Sequence, residues 1–421
     1  MFEVNSPENK SWLVVPANSD FPIQNIPFSV FKTLRSEPRC CTRIGDTIID
    51  LAALAENGYF DEIEMDSSVF YSSTLNDFMS CGKAITSKVR ERIAWLFNSQ
   101  NPEFPNQQKS EILFPADEIL MLMPIAVGDY TDFYSSIEHA TNVGKMFRDP
   151  ENALLPNWKH LPVGYHGRSS SIVVSGTDIH RPKGQILPAG ADNPIFSPSR
   201  LMDFELEMAF ITNRSTELGD SIPVENAEDY IFGFTLFNDL SARDIQKWEY
   251  VPLGPFLGKN FGSVISPWII TLEALEPFRV EGPVQEPEVL PYLKTTGKRN
   301  FDINLEVYLQ PENSSPSLIC QSNHKYLYWN IAQQLAHQTI NGCNINSGDM
   351  YASGTISGPT ENSFGSMLEL SWGGKKEIHL ADGQTRKFIQ DNDTIIMKAF
   401  AQNGTVRIGF GDVITKILPA K

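Results

Sequence analysis

The sequence predicts a mainly β fold with scattered helices, of the α+β class. From residue 119 onward, short runs of β-type residues are separated by glycine and proline, as in 171–174, 268–271, 301–307 and 394–397. The chain contains 28 glycines and 28 prolines, which is typical of a protein rich in turns and strands. Stretches with helical spacing are few, and the clearest covers residues 328–339.

Residues 1–118 differ from the rest of the chain. Segment 42–50 predicts two short strands around a Gly-Asp turn. An amphipathic helix follows, marked by Ile85, Val89, Ile93 and Leu96. The polar, proline-containing run 101–110 is the best candidate for a domain link. We therefore expect a small β-rich accessory domain over 1–118 and a larger domain over 119–421.

Composition excludes several classes of function. Lys and Arg number 34 against 51 Asp and Glu, so the net charge is −17 and no basic stripe suggests nucleic-acid binding. The five cysteines include no C-x-x-C pair, which favours reduced thiols in a cytoplasmic protein and argues against zinc. The first residues lack a basic and an apolar region, so we expect no signal peptide. No window approaches 18 consecutive apolar residues, so we expect no membrane span.

The most informative segment alternates acids with apolar residues: Asp203-Phe204-Glu205-Leu206-Glu207-Met208. In an extended segment the three acids share one face, and the apolar residues share the core-facing side. Like charges on a half-buried strand need a cation or a salt-bridge partner. Oxygen ligands suit calcium or magnesium better than zinc. The alternative is a solvated acidic strand face.

A second segment, 128–139, joins acidic, aromatic and imidazole side chains. Ser135 and Glu138 resemble a capping box, so a helix should begin there with His139 near its first turn. The positive potential of a helix N-terminus favours a neutral imidazole that can accept a proton. Asp132 and Tyr134 lie just upstream. The alternative is a structural histidine.

A third segment begins with the apolar run 230–237, which predicts a buried strand that delivers Asp239 at its end. Ser241 and Asp244 form a second apparent capping box, which predicts a helix. One polar face of that helix would carry Arg243, Gln246 and Tyr250. This face either meets solvent or places hydrogen-bond donors beside the aspartate.

Two loops and one further acid complete the candidate site. The glycine-rich loop 253–263 lets the backbone approach a ligand and contributes Lys259. Segment 352–358 is a similar loop. Glu369 sits in the alternating run 367–372, which favours a strand. A buried acid there needs a partner such as a histidine.

Taken together, these segments resemble the fumarylacetoacetase family over essentially the whole chain. The resemblance rests on the runs 128–136, 139–144, 161–168, 205–210, 241–246, 248–259, 354–358 and 364–372. Two departures are visible: Ser263 stands where the family pattern suggests threonine, and Leu240 where it suggests tryptophan. Neither removes a reacting group.

The resemblance implies a small N-terminal SH3-like β-barrel followed by a mixed β-sandwich roll, and a cytoplasmic homodimer. It implies a hydrolase that cleaves the carbon–carbon bond of 4-fumarylacetoacetate, a dicarboxylate β-diketone, to fumarate and acetoacetate in tyrosine and phenylalanine catabolism. It also implies Ca²⁺ and/or Mg²⁺ as cofactor.

The resemblance further implies a role for individual residues. The metal acids fall on Asp132, Glu205, Glu207 and Asp239, with Lys259, Gly262 and Ser263 near a second ion. The general base falls on His139, its orienting acid on Glu369, and the oxyanion donors on Arg243, Gln246 and Lys259. Substrate contacts fall on Tyr134, Arg148, Tyr165, Gln246, Tyr250 and Thr355.

Two other functions remain open at this point. An acylpyruvate hydrolase, a decarboxylase or a hydratase of the same superfamily would share the acidic cluster. The His139–Glu369 pair together with an N-terminal domain argues against these. A non-catalytic calcium-binding protein would need the acids, but not His139 or the Arg243, Gln246 and Lys259 donors.

Overall fold

Short strands dominate the structure, a computed structural model that describes residues 3–34, 36–101, 104 and 109–421. The strands are β1 (Phe28–Lys32), β2 (Arg39–Ile44), β3 (Thr47–Asp50), β4 (Leu113–Pro115), β5 (Leu120–Met121), β6 (Tyr130–Phe133), β7 (Gly164–His166), β8 (Ile172–Val174), β9 (Ile179–His180), β10 (Lys183–Ile186), β11 (Ile195–Pro198), β12 (Met202–Asp203), β13 (Leu206–Thr212), β14 (Ile231–Asp239), β15 (Ser241–Ala242), β16 (Ser263–Ile265), β17 (Ile270–Thr271), β18 (Arg279–Val280), β19 (Asn300–Phe301), β20 (Asn304–Gln310), β21 (Ser317–Asn323), β22 (Met350–Ala352), β23 (Ile378–His379), β24 (Thr385–Arg386), β25 (Thr394–Asn403), β26 (Val406–Gly409) and β27 (Val413–Leu418).

Helices are few and mostly short. They are α1 (Leu51–Glu56), α2 (Asn76–Ser80), α3 (Lys83–Leu96), α4 (Lys109–Ile112), α5 (Ile137–Phe147), α6 (Arg243–Glu249), α7 (Leu272–Leu275), α8 (Ile331–Thr339) and α9 (Met367–Leu370). Among the described residues, none of the helices has the length and apolar character needed to cross a membrane. The prediction of a mainly β fold with scattered helices is confirmed.

The N-terminal part is built on a five-stranded sheet in the order β4-β3-β2-β1-β5. β2 and β3 form the predicted hairpin, and α3 is the predicted amphipathic helix. Their apolar residues form a core that also contains Ala209, Ile211 and Phe237 from the larger sheet. The N-terminal sheet therefore packs directly on one face of that sheet. The predicted link at 101–110 lies largely outside the described residues.

Two larger sheets form the rest of the molecule. One has eight strands, with β7-β6-β22-β13-β14-β16-β8 in order and β17 beside β14. The other has six, with β21-β20-β25-β27-β9 in order and β26 beside β25. Apolar residues of both sheets, such as Met208, Phe234, Val307 and Met397, share a second core. The neighbouring strands β6, β22, β13 and β14 bring distant acids together.

The acidic segment departs from its predicted form. It is divided between β12, which ends at Asp203, and β13, which begins at Leu206, and these strands belong to different sheets. Glu205 lies between them and makes only an isolated bridge with Ser366. The expectation of one continuous strand was therefore wrong. The predicted apolar side is confirmed, since Phe204, Leu206 and Met208 are buried in the core.

Candidate active site

Four carboxylates, carried by three neighbouring strands and the residue before one of them, converge in the large sheet. Asp132 lies on β6, Glu207 on β13 and Asp239 at the end of β14, and Glu205 precedes β13. One oxygen from each lies within 4.8 Å of the others, and all four side chains are buried. Pairing of β14 with the residues before β13 sets this arrangement, because the Asp239 amide donates to the Glu205 carbonyl at 3.2 Å. This cluster could hold a metal ion.

The donor set of the cluster fits a hard cation. Asp132 Oδ1 and Glu207 Oε1 are buried and accept no hydrogen bond within the described part of the chain. A buried carboxylate oxygen without a partner is costly, so it calls for a cation. Every group is an oxygen donor, as calcium and magnesium prefer. The residues present therefore fit a divalent ion of this kind.

Two cations neutralise part of the cluster. Lys259 Nζ donates to Glu205 Oε2 and to Asp239 Oδ2, the latter at 2.5 Å. Arg243 Nη2 lies 2.7 Å from Glu205 Oε1. Two positive charges against four carboxylates leave a negative surplus, which one divalent ion would balance.

The same imbalance appears in the pKa values of the acids. Burial raises the pKa of Asp132 and of Glu207, and the nearby carboxylates raise both further. Burial also raises the pKa of Glu205, but Lys259 and Arg243 outweigh it and hold that pKa well below its usual range. The Lys259 charge lowers both pKa values only in part, and within the described residues no lysine or arginine forms an ion pair with Asp132 or Glu207.

A histidine–glutamate pair lies next to the cluster. His139 Nδ1 is 2.6 Å from Glu369 Oε2, and both side chains are buried. Burial raises the pKa of Glu369, but His139 and the hydrogen-bond donors around the carboxylate lower it more, so the net shift is downward. An ionised carboxylate can only accept, so Nδ1 carries a hydrogen, and in the neutral imidazole Nε2 is then the proton acceptor.

Three further residues hold Glu369, and a local sequence pattern marks only Ser366, which has the Ser-x-x-Glu capping spacing with Glu369. Asn142 Nδ2 donates to Oε1, while the hydroxyls of Ser357 and Ser366 donate to Oε2, each at 2.9 Å. Asn142 lies one turn after His139 on α5, so the helix delivers both groups to the same carboxylate. Glu369 itself lies on α9. The predicted strand at 367–372 was wrong.

Both predicted capping boxes were wrong, although helices do begin nearby. α5 is capped by Ser136, which accepts from the His139 amide at 3.2 Å, and Ser135 instead accepts from Gln334 Nε2. α6 has no side-chain cap. Asp244 accepts from the Ser199 hydroxyl instead. Tertiary partners therefore outcompete the local capping pattern.

The proposed oxyanion donors lie together beside the cluster. Arg243 Nη1 donates to Gln246 Oε1 at 3.2 Å, which leaves the amide N–H groups of Gln246 available. Lys259 has three N–H groups, and two of them point at Glu205 and Asp239. The helix α6 and the glycine-rich loop thus contribute three donor side chains, of which Arg243 and Lys259 contact the acids directly.

The predicted substrate residues form two groups: one is buried or half-buried, and the other is exposed. Tyr165 donates to Asp239 Oδ2 at 3.4 Å, and the Tyr134 ring packs edge-on to His139 at 5.3 Å. Thr355 is buried, and its hydroxyl makes no hydrogen bond within the described residues. Arg148 is exposed and donates to the Ala153 carbonyl. Tyr250, also exposed, ends α6.

The predicted second-ion residues lie next to the cluster. Ser263 donates its hydroxyl to Asp239 Oδ1 at 2.9 Å, so the serine keeps the hydroxyl that the family pattern places there. The space beside Gly262 is small, because a Cβ would lie 3.0 Å from Ile179. Gly262 directly precedes β16, and Ser263 is the first residue of that strand and pairs with Asp239 of β14.

Comparisons with known proteins agree with this site. Residues 130–417 match the family model "Fumarylacetoacetate (FAA) hydrolase C-terminal", and residues 24–124 match "Fumarylacetoacetase N-terminal". The chain is 52% identical to a fumarylacetoacetase of Dictyostelium discoideum over 419 residues, 98% of each chain. It is 50% identical to a fumarylacetoacetase of Homo sapiens over 415 residues, 97% of this chain and 99% of the relative.

Solved structures show a related fold at low sequence identity. A fumarylacetoacetate hydrolase from psychrophilic Exiguobacterium antarcticum aligns with a TM-score of 0.52 at 16% identity, covering 94% of this chain and all of that one. A maleylpyruvate hydrolase from Sphingobium aligns with a TM-score of 0.50 at 14% identity, with the same coverage. Two family models and near-complete alignments at about half identity lead to one conclusion: the chain belongs to the fumarylacetoacetase family.

Proposed function

We propose that the chain hydrolyses the carbon–carbon bond of 4-fumarylacetoacetate to give fumarate and acetoacetate, a step of tyrosine and phenylalanine catabolism. The observation that carries the proposal is the His139–Glu369 pair beside a buried cluster of four carboxylates. Relatives that share about half of the sequence over nearly its whole length bear the name fumarylacetoacetase. Water is a poor nucleophile and a carbanion is a poor leaving group, so the site must assist both.

His139 is the general base in this proposal. Its Nδ1–H is held by Glu369, so Nε2 takes a proton from water as the oxygen attacks the substrate carbonyl. Glu369 stabilises the imidazolium without accepting the proton, because its other donors keep it ionised. When the carbon–carbon bond breaks, its electron pair leaves with the acetoacetate carbon, and that carbon takes up the proton that His139 removed from water, which restores the neutral imidazole.

Arg243, Gln246 and Lys259 stabilise the oxyanion that forms on the attacked carbonyl. Each retains at least one N–H group after its contacts with the protein are counted. Removal of one such donor typically costs 10²–10³ in kcat. The positive charge of two of these residues also offsets the charge of a dicarboxylate substrate.

Asp132, Glu205, Glu207 and Asp239 would hold Ca²⁺ or Mg²⁺, which supplies Lewis-acid polarisation of substrate oxygens when bound. Lys259, Gly262 and Ser263 border this position. The unpartnered oxygens of Asp132 and Glu207 support the assignment. All-oxygen ligation supports a hard ion over zinc.

Substrate recognition is assigned to residues around the base and the acids. Tyr134 and Tyr165 already touch His139 and Asp239, and the free hydroxyl of Thr355 can donate to a substrate oxygen. Tyr250 and Arg148 lie on exposed chain near the ends of α6 and α5. Arg148 would exchange its bond with the Ala153 carbonyl for a substrate carboxylate.

The finer architecture is part of the same proposal. The antiparallel five-stranded sheet supports an SH3-like accessory domain over 1–118, and the two packed sheets support a β-sandwich roll over 119–421. Exposed Val251, Leu253 and Phe256 support a homodimer, since large exposed apolar groups favour an interface. Free thiols at all five cysteines support a cytoplasmic protein. Light scattering of purified protein tests the dimer.

The proposed substrate is tested by incubating purified protein and calcium or magnesium with fumarylacetoacetate and, separately, with acylpyruvates. We expect fumarate and acetoacetate in equal amounts, and kcat/KM at least about tenfold higher for fumarylacetoacetate. Preferred cleavage of an acylpyruvate would instead assign a different hydrolase activity to the same site.

A further inference from the structure

Asp203 is fully buried, yet it is not one of the four acids of the candidate metal cluster, Asp132, Glu205, Glu207 and Asp239.

 Both oxygens of the Asp203 carboxylate accept hydrogen bonds from groups outside that cluster. Burial of a carboxylate costs free energy unless hydrogen bonds or cations compensate it, so the groups that bind Asp203 indicate what it does.

The contacts of Asp203 join two parts of the site. Its Oδ2 accepts from Arg243 Nε at 2.8 Å. Its Oδ1 accepts from the Met367 amide at 2.6 Å, and Oδ2 also accepts from the Leu368 amide at 3.1 Å. These two amides open α9, the helical turn that carries Glu369. One carboxylate therefore anchors both an oxyanion donor and the turn that holds the partner of the base.

Helix capping alone does not account for this arrangement. Ser366 already caps α9, because its hydroxyl accepts from the Glu369 amide at 3.3 Å. Asp203 adds the bond to the Arg243 guanidinium, which lies beside Glu205 at its other end. The guanidinium is thus fixed between two acids, and only one of them belongs to the cluster.

We infer that Asp203 is a positioning residue that holds Arg243 and Glu369 in fixed relative positions, so that the oxyanion donor and the His139 base both face the same substrate carbonyl group. The inference rests on the function proposed above for the roles of Arg243 and Glu369. Misplacement of a catalytic group by about 1 Å can cost on the order of 100-fold in rate. We therefore expect Asp203→Asn to lower kcat by about 10–100-fold, with KM changed by less than about threefold.

Asp244→Asn is the matched control. Asp244 neighbours Arg243 on α6 and also binds a hydroxyl and a backbone amide, those of Ser199 and Arg200, without touching the guanidinium. It should keep kcat within about twofold of wild type, as expected for a substitution outside the site. Equal kcat losses in Asp203→Asn and Asp244→Asn would overturn the inference.

A double-mutant cycle separates positioning from general loss of stability. If Asp203 acts through Arg243, then Asp203→Asn should lower kcat much less in an Arg243→Gln background than in wild type. If Asp203→Asn lowered kcat by the same factor in the Arg243→Gln background as in wild type, the inference would be overturned. If Asp203→Asn does not fold, Asp203→Glu keeps the charge but moves the carboxylate, and it is put through the same cycle.

A spectroscopic readout tests the inference independently of turnover. In protein labelled with ¹⁵N at histidine and arginine, Asp203→Asn should shift the Nδ1–H signal of His139 and the Nε–H signal of Arg243, whereas Asp244→Asn should leave both in place. Unchanged signals would overturn the inference. Shifted signals in a protein that does not cleave fumarylacetoacetate would overturn the proposed function and leave the positioning role standing.

Discussion

Replacing Glu369 by glutamine should slow turnover by about 10²–10³ while the fold is retained. The substitution keeps the size of the side chain and removes its charge. Glutamine can present its carbonyl oxygen to His139, Ser357 and Ser366, and rotation of the Asn142 amide then satisfies the new N–H group. The hydrogen-bond network therefore survives, and the main loss is the attraction between the carboxylate and the imidazolium.

The magnitude follows from the distance. His139 Nδ1 and Glu369 Oε2 are 2.6 Å apart, and the centres of the two charges are farther apart than these atoms. Opposite unit charges about 4 Å apart attract by about 4 kcal/mol at an effective dielectric constant of about 20. Because about 1.4 kcal/mol corresponds to a tenfold change in rate, this predicts a loss of about 10²–10³ in kcat.

The assay is the loss of fumarylacetoacetate absorbance at saturating calcium or magnesium. Calcium affinity should not change, because Glu369 is outside the four-carboxylate cluster. Glu361→Gln is the matched control: this exposed glutamate pairs with Lys376, and a surface pair contributes about 0–1 kcal/mol, so kcat should stay within about twofold. If Glu369→Gln kept more than about a tenth of wild-type kcat, the assigned role of the pair would be untenable.

Three further predictions concern the cation, the site lysine and a buried histidine. Glu207→Gln should weaken calcium binding at least about tenfold in calorimetry, since it removes a charged ligand, and equal affinity would contradict its role as a ligand. Lys259→Met should lower kcat by about 10²–10³ without weakening calcium binding, and unchanged kcat would exclude Lys259 as a donor. Burial lowers the pKa of His324 from 6.5 to about 3. As the pH drops below about 6.5, the imidazole therefore gains a proton in the unfolded chain before it does in the folded protein, and the free energy of unfolding should fall. Denaturant titrations of His324→Phe should show a pH slope smaller by up to about 1.4 kcal/mol per pH unit, and an unchanged slope would contradict this.

Regular alternation made part of the site predictable from the sequence. The apolar side of segment 203–208 is buried as predicted, and the apolar run 230–237 lies almost entirely in β14, which ends at Asp239. The first is the alternation of a strand with one core-facing side, and the second is a continuous apolar run, typical of a strand buried on both faces. Pairing of β14 with its neighbours then places acids that are distant in sequence side by side.

The remainder of the site depends on contacts that no local pattern encodes. The break between β12 and β13 sends Asp203 to Arg243 and to α9, although its spacing suggested that it would join Glu205 and Glu207. The four-residue turn α9 is too short to show helical periodicity, so its alternating residues suggested a strand. The Asn142 and Ser357 donors to Glu369 are ordinary residues whose partner is set by the fold, whereas Ser366 reaches Glu369 through the local Ser-x-x-Glu spacing.

The measurement that tests the central claim most directly is turnover of fumarylacetoacetate by the purified protein before chelation, after chelation, and after calcium or magnesium is restored. We predict rapid loss of substrate with fumarate and acetoacetate as products, loss of activity on chelation, and recovery with either ion. Full activity in metal-free protein would contradict the role of the four-carboxylate cluster, and no turnover with metal bound would contradict the proposed substrate.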